Sequence, residues 1–327
     1  MKSHWMQMTE TDTLLECRET EIPEPGPRQL LLRMHAAGLN RGEFVLGHGL
    51  HGKAGTWKQI GGEGAGEVLS TGKEVTGFKA GDKVMGRCAG AFSEYALMDL
   101  AEAMPKPDSL SWEEAACLPM TFLVAFDMLV LQGRLKAGEW ILLNGASSGV
   151  GVAALQLGKA MGANVIGTSG SAEKLERLKG LGLDVALHTR AADFAADVMT
   201  ATDQHGADLI INAVGGSVFA ENIRAAAFEA RLAIVGYVDG QLHGDFDLEA
   251  FHAKRLTLFG VSNKMRTKAQ RAAAVPRFTS EVLPYFEAGT IKPQVDKQFD
   301  FEDLLAAKAC MEAGHHAGKI VLRISAA

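Results

Sequence analysis

Residues 144–151 read Asn-Gly-Ala-Ser-Ser-Gly-Val-Gly, and a run of this kind can hold a phosphate. Gly149 lets the backbone come close to a pyrophosphate. A helix beginning near Val150 would aim its positive end at the same anion. The spacing is A-x-x-G-x-G from Ala146 to Gly151, not the full G-x-G-x-x-G. Alone it would read equally well as a strand–helix turn with no ligand. Its context decides. The apolar run WILLN (140–144) precedes it, and a helical pattern, VGVAALQLGKAMG (150–162), follows. Ala146, Ser147, Ser148, Gly149 and Val150 are therefore expected to contact a dinucleotide.

The next strand, ANVIGTS (163–169), sets which dinucleotide. NAD sites place an acid about 20 residues beyond the glycine turn, on the ribose hydroxyls. Here that place holds Ser169, followed by Gly170 and Ser171. No carboxylate would repel a 2′-phosphate. Lys174 adds an ammonium one turn on, and His188 and Arg190 could add donors from the third strand end. Taken singly, Lys174 reads as a solvated lysine and His188 as an idle strand-end residue. Together they favour NADP(H) over NAD(H).

Strands and helices must position these groups. From residue 137 they alternate: strands at 140–144, 163–169, 184–188, 207–214, 231–237 and 255–261, with helices between. That rhythm, with near-continuous apolar strands, predicts an α/β fold with a Rossmann-type, doubly wound parallel sheet. Residues 1–110 are β-rich instead, with apolar runs at 29–39, 62–70, 82–87 and 92–99 separated by glycines. Ser111 and Glu114 fit a capping box at a helix start. After 265 the pattern reads as one long helix, then VDKQFDF, a helix EDLLAAKACMEAG and a strand KIVLRI. This tail is expected to return to the β-rich domain.

Composition narrows the partners. A 327-residue chain suits two domains, and 47% hydrophobic with 22% charged residues is ordinary for a globular protein. A net charge of -6 argues against nucleic acid as a partner. Cys17, Cys88, Cys117 and Cys310 are far apart, so neither a disulfide framework nor a zinc loop is suggested. No signal-peptide pattern opens the chain, and no run of 18 apolar residues occurs. The expectation is a reduced, cytoplasmic, soluble protein acting on a small molecule, with no membrane partner.

The motifs AAGLNRGE (36–43), GGEGAGEV (61–68), FKAGDKVMG (78–86), FSEYALM (92–98), NAVGG (212–216) and GKIVLRI (318–324), with the glycine turn, run nearly the whole length. In this order they resemble the medium-chain dehydrogenase/reductase superfamily, and most of all its zinc-independent quinone oxidoreductase branch. The resemblance implies a GroES-like catalytic domain (1–115 and 265–327) and a Rossmann-type NADP(H)-binding domain (116–264). It adds Asn40, Val214, Gly236, Val261 and Asn263 as cofactor contacts. Zinc-dependent members carry a cysteine at the place of Asn40 and a histidine at the place of Gly62, so no metal is expected. His48 and His51 stand at H-x-x-H spacing without a third ligand, which reads as a loop.

Two departures bear on mechanism. The branch's T-A-Y run is Val124-Ala125-Phe126 here, which removes a hydroxyl. A loop tyrosine is replaced by His51, which either donates a proton or is an ordinary surface histidine. Asn40 and His51 are the candidate catalytic residues. The implied activity is hydride transfer from NADPH to a quinone or another conjugated carbonyl (enone). The alternatives are an enoyl-thioester reductase and a non-catalytic NADPH-binding protein of sensor or crystallin type. The final strand, 255–261, reads as a sheet edge. In this superfamily it commonly pairs with its copy, which implies a homodimer; an edge covered by the following helix would give a monomer. Leu256 and Leu258 are expected to pack on one face of it.

Overall fold

The computed structural model describes residues 1–9, 13–44, 55–263 and 265–324. The chain divides into two compact units, Met1–Leu123 with Lys264–Ala327, and Val124–Asn263. The resemblance places this boundary at 116. The short helix Trp112–Ala116 instead packs on the strands Gln29–Gly38 and Glu63–Thr71, which holds it in the first unit. Its N-cap is Ser111, with Glu114 closing the capping box.

The first unit is built on a six-stranded sheet in the order Val295–Asp300, Lys319–Arg323, Gln29–Gly38, Glu63–Thr71, Lys83–Ala89, Tyr95–Pro105. Gln29–Gly38 also pairs with Tyr95–Pro105, so four of these strands close into a ring. The period-2 pattern of the Gln29–Gly38 strand turns Leu30, Leu32, Met34 and Ala36 inward. The first three meet Phe92 and Met98 in the core. The tail strand Lys319–Arg323 joins Gln29–Gly38 antiparallel, as the sequence implies. A second sheet of three strands, Thr13–Glu19, Lys2–Met8 and Trp57–Gln59, has no counterpart among the expected elements.

The second unit is a six-stranded, all-parallel sheet ordered Val185–His188, Asn164–Ser169, Trp140–Asn144, Ala207–Asn212, Ala226–Ile234, Thr257–Gly260. Numbered in sequence, that is 3-2-1-4-5-6, the doubly wound order. Leu209, Ile210 and Ile211 are all buried, because a central parallel strand is covered on both faces. The order reverses between Trp140–Asn144 and Ala207–Asn212, and ligands bind at the carboxyl ends beside such a switch.

Two expectations need correction. The segment after 265 is not one helix but three, Lys268–Ala272, Val275–Glu281 and Leu283–Glu287. Pro276 and Pro284 each stand in the first turn of the later two, where a missing N–H costs nothing, whereas inside a longer helix each would break it. The last strand is also shorter, and Leu256 and Leu258 do not share a face. Arg255 has a left-handed φ of 54° and the Leu256 N–H bonds to Phe251 O, so strand alternation begins after Leu256. Leu256 is buried, while Leu258 is 41% exposed on the edge strand.

Among the described residues Thr257–Gly260 pairs with a strand, Ala226–Ile234, on one side only, though Gln132 Nε2 donates to Gly260 O. Pairing of this edge with a second copy would satisfy its free backbone groups and cover Leu258. Light scattering at micromolar concentration should give twice the single-chain mass. Leu258→Pro, which removes a ladder donor, should shift it toward the single-chain value. A single-chain mass for the unmodified protein would rule the pairing out.

Candidate functional site

In the second unit the Trp140–Asn144 strand enters the glycine turn at Gly145, whose φ of 74° suits glycine. Ser148 caps the helix Gly149–Ala160, its hydroxyl accepting from the Gly151 N–H at 3.1 Å. Gly151 packs helix against turn: an added Cβ would lie 2.6 Å from Ala146 O. Ala146 is fully buried and donates its N–H to Thr168 O, so it shapes the turn. Ser147, Ser148 and Val150 are half-buried along it. Asn144 is buried at the strand end, and neither side-chain polar atom has a hydrogen-bond partner among the described residues. A turn with a helix N-terminus and an orphaned amide fits a bound dinucleotide.

At the second strand's tip, Ser169 sits beside His188 in the parallel register. Ser169 Oγ accepts from the Ser171 N–H at 3.3 Å, and Ser171 caps the helix Ala172–Lys179 by accepting from the Lys174 N–H. Lys174 thus lies in that helix's first turn. The Arg190 side chain crosses directly over Gly170, where a Cβ would overlap it. Ser169 and His188 adjoin and the Arg190 guanidinium crosses Gly170, at the strand tip where NAD sites carry an acid.

Past the fourth strand, Asn212 is fully buried and staples the turn. Its Oδ1 accepts from Val214 and Gly215, and its Nδ2 donates to Gly215 O at 2.9 Å. Asp239 N–H bonds to Val214 O, and Gly236 lies against Ala213 O. Val261 is buried, its N–H on Ile234 O, with Asn263 two residues on. These strand ends border a cavity of about 330 Å³ lined by Asn212, Gly215, Phe219, Ile234, Tyr237 and Phe246. A larger open depression of about 540 Å³, near Arg134, Arg231 and Arg255, lies at the amino ends of the strands. The smaller cavity lies at the carboxyl ends of the strands, the end at which doubly wound sheets bind ligands.

The first unit holds a buried polar cluster. Lys319 Nζ donates to Glu63 Oε1 (2.7 Å), Asn40 Oδ1 (2.8 Å) and Leu39 O (2.8 Å), using all three of its donors. Asn40 Nδ2 donates to Glu63 Oε1 at 2.9 Å, and Met120 N–H to Glu63 Oε2 at 2.7 Å. Glu63 is wholly buried. Gly38 makes room for it, since a Cβ there would fall 2.8 Å from Glu63 Oε1. Asn40 opens the one-turn helix Arg41–Glu43, whose Glu43 Oε2 accepts the Asn40 N–H at 3.0 Å. Burial, first of all, pushes the Glu43 carboxyl up to about 7. Glu63 nearby adds to the rise, while the Asn40 and Gly62 amides and Lys319 oppose it.

Asn40 is thus a member of this cluster. Its companions Glu43, Glu63 and Lys319 were not singled out from sequence. An acid in GGEGAGEV and a lysine in GKIVLRI, each inside an apolar strand, were the available signals. His48 and His51 lie outside the described residues. Zinc does not fit Asn40 and Gly62: the Asn40 amide is committed to Lys319 and Glu63, and Gly62 offers no side chain. Among the described residues no group of three or more His, Cys, Asp or Glu is placed to hold a metal. No helix there is long and apolar enough to cross a membrane. The four cysteines are unbonded, and burial raises the thiols of Cys88 and Cys117.

Comparison with known proteins matches residues 26–108 to the alcohol dehydrogenase GroES-like domain and 149–279 to the zinc-binding dehydrogenase family. A phenolphthiocerol/phthiocerol polyketide synthase component from Mycobacterium tuberculosis is 31% identical over 95% of this chain. The chain spans only 14% of that relative's length. A quinone oxidoreductase from Rattus norvegicus is 27% identical over 91% of this chain and 89% of its own. A solved NAD-dependent alcohol dehydrogenase is 30% identical, covers 99% of this chain and 100% of its own, and superposes with a TM-score of 0.86.

Proposed function

Because the chain belongs to the medium-chain dehydrogenase/reductase superfamily, as a quinone oxidoreductase-like member, we propose that it is an NADPH-dependent, zinc-free reductase of conjugated carbonyl compounds. The observation that carries this reading is the acid-free tip at Ser169–Gly170 with Arg190 laid across it. The Ser147–Val150 turn and the helix start would hold the pyrophosphate. Arg190, Lys174 and Ser169 would hold the 2′-phosphate, and the Val214, Gly236 and Val261 strand ends the nicotinamide. Bound NADPH supplies the hydride.

The protein's own residues bind, orient and exclude water. The buried Asn40–Glu63–Lys319 cluster gives Asn40 one orientation, so its amide is a fixed dipole rather than a mobile donor. A quinone needs little more, because its reduced oxygen is a stabilised phenolate. An enone or an enoyl thioester gains more from a proton donor. Similarity to a polyketide synthase supports the enoyl thioester as the second acceptor class.

The test is NADPH oxidation, followed by absorbance in the presence of a strong chelator. A naphthoquinone, an enone and an enoyl-CoA are offered in turn. Turnover of at least one conjugated acceptor is expected. Tight NADPH binding with no turnover of any of them would replace this reading by the non-catalytic one.

A further inference from the structure

We propose that the depression of about 540 Å³ at the amino ends of the parallel strands binds a phosphorylated organic molecule. It lies wholly within the unit Val124–Asn263, at the end of the strands opposite the glycine turn.

Three arginines line it, Arg134, Arg231 and Arg255, against one carboxylate, Glu229. They are held in three different ways. Arg231 is fixed. Its guanidinium forks onto both Glu139 oxygens, at 3.1 and 2.7 Å, and donates to Gly133 O and Asp208 O. Those four bonds leave one of its five donors, an N–H on Nη2, without an acceptor among the described residues. Arg255 is exchangeable. Its Nε stands 3.1 Å from Glu229 Oε1, with the two side chains 69% and 60% exposed. An ion pair so open to water is worth little, so an arriving dianion can take the guanidinium from Glu229. Arg134 is exposed, and among the described residues no hydrogen bond or ion pair holds its side chain. One guanidinium is thus already placed and two can close on a ligand.

The backbone points the same way. Among the described residues five that are not glycine have a left-handed φ, and three of them line this depression: Arg134 (48°), Glu229 (61°) and Arg255 (54°). Arg255 follows the helix Leu248–Ala253 and its cap Lys254. Glycine is favoured at that place, because left-handed backbone is costly for any residue with a Cβ. Arg134 repeats the choice directly after Gly133. The Glu229 N–H bonds to Lys254 O at 2.7 Å, which ties the carboxylate to the turn that carries Arg255. Strained residues gather where side chains must be presented to a ligand.

The chemistry of the lining selects the ligand. A guanidinium meets phosphate oxygens with two parallel donors, and several together suit a dianion. The volume lies in the range of small-molecule sites and far exceeds what a bare ion fills. Phe251 supplies an apolar wall, and His252 lines the same space. A phosphomonoester with an organic part beside Phe251 fits these groups.

Calorimetric titration of the full chain with phenyl phosphate and with inorganic phosphate tests this. Phenyl phosphate should bind the more tightly, and its binding should persist in Arg190→Ala, a change at the opposite strand ends. Arg134→Gly and Arg255→Gly should each weaken it about tenfold. Their thermal midpoints should stay at or above wild type, since glycine relieves the left-handed φ. Glu229→Gln should tighten binding, because the competing carboxylate is gone, and a misfolded variant could not produce that gain. Absence of phenyl phosphate binding at millimolar concentration would overturn the proposal. Equal dissociation constants in wild type and both glycine variants would do so too. Inorganic phosphate binding as tightly as phenyl phosphate would make this a bare-ion site, and loss of the signal in Arg190→Ala would move the binding to the glycine-turn end; either result sinks the proposal.

Discussion

Lys319→Met should destabilise the β-rich unit by about 3–5 kcal/mol. The side chain is nearly the right volume, so packing loss is small. What is lost is the counter-ion of a carboxylate with no solvent access: Lys319 is 7% exposed at its side chain and Glu63 0%. Removing one partner of a buried pair costs far more than the pair is worth, because the other charge stays behind. Asn40 and Leu39 O also lose their donors at 2.8 Å. The double variant Lys319→Met, Glu63→Gln should recover a large part of the loss, since no uncompensated charge remains. Urea unfolding of both variants beside wild type measures the loss and the recovery. A single variant within about 1 kcal/mol of wild type would show that Glu63 is reached by water.

Arg190→Ala should raise the dissociation constant for NADPH by about 10- to 100-fold and that for NADH by much less. A guanidinium can meet a phosphate with two parallel donors, which an ammonium cannot. Arg190 has the better location too, directly over Gly170, while Lys174 stands one helical turn away. Lys174→Ala should therefore give a smaller loss in the same direction. Arg190 is exposed, so salt should narrow the difference between the two cofactors. Fluorescence titration with both cofactors at low and high salt reads this directly. Equal losses for NADPH and NADH would remove the 2′-phosphate contact from the site.

The cofactor unit was largely legible because its signals are local. A strand, a glycine turn and a helix lie consecutively, so Gly149–Ala160 begins within a residue of its predicted start and Ser148 is its cap. The acid-free tip at Ser169 follows from a fixed count along one βα unit. Arg190 is different. Its position over Gly170 depends on the third strand pairing with the second, Ser169 opposite His188, and only that register sets the residue two further on across the glycine.

The β-rich unit shows the opposite balance. Its strands were readable from apolar alternation, and the KIVLRI run forms the strand Lys319–Arg323. The helix after 265 was misread because a proline in a first turn looks the same as one that breaks a helix. In the cofactor unit, Leu258 was misread because the left-handed turn at Arg255 leaves no hydrophobic pattern. The polar cluster could not be read in advance. Asn40, Glu43, Glu63, Met120 and Lys319 come from four separate stretches, and Lys319 is joined to Glu63 across 256 residues of chain.

By itself, then, the sequence determined the fold class and the strand–turn–helix of residues 140–160, since each rests on patterns a few residues long. Only the tertiary structure decided which carboxyl is paired with an ammonium and which is pushed up to about 7. That depends on burial and on the count of charges within a few ångströms, and neither has any trace along the chain until strands distant in sequence lie side by side.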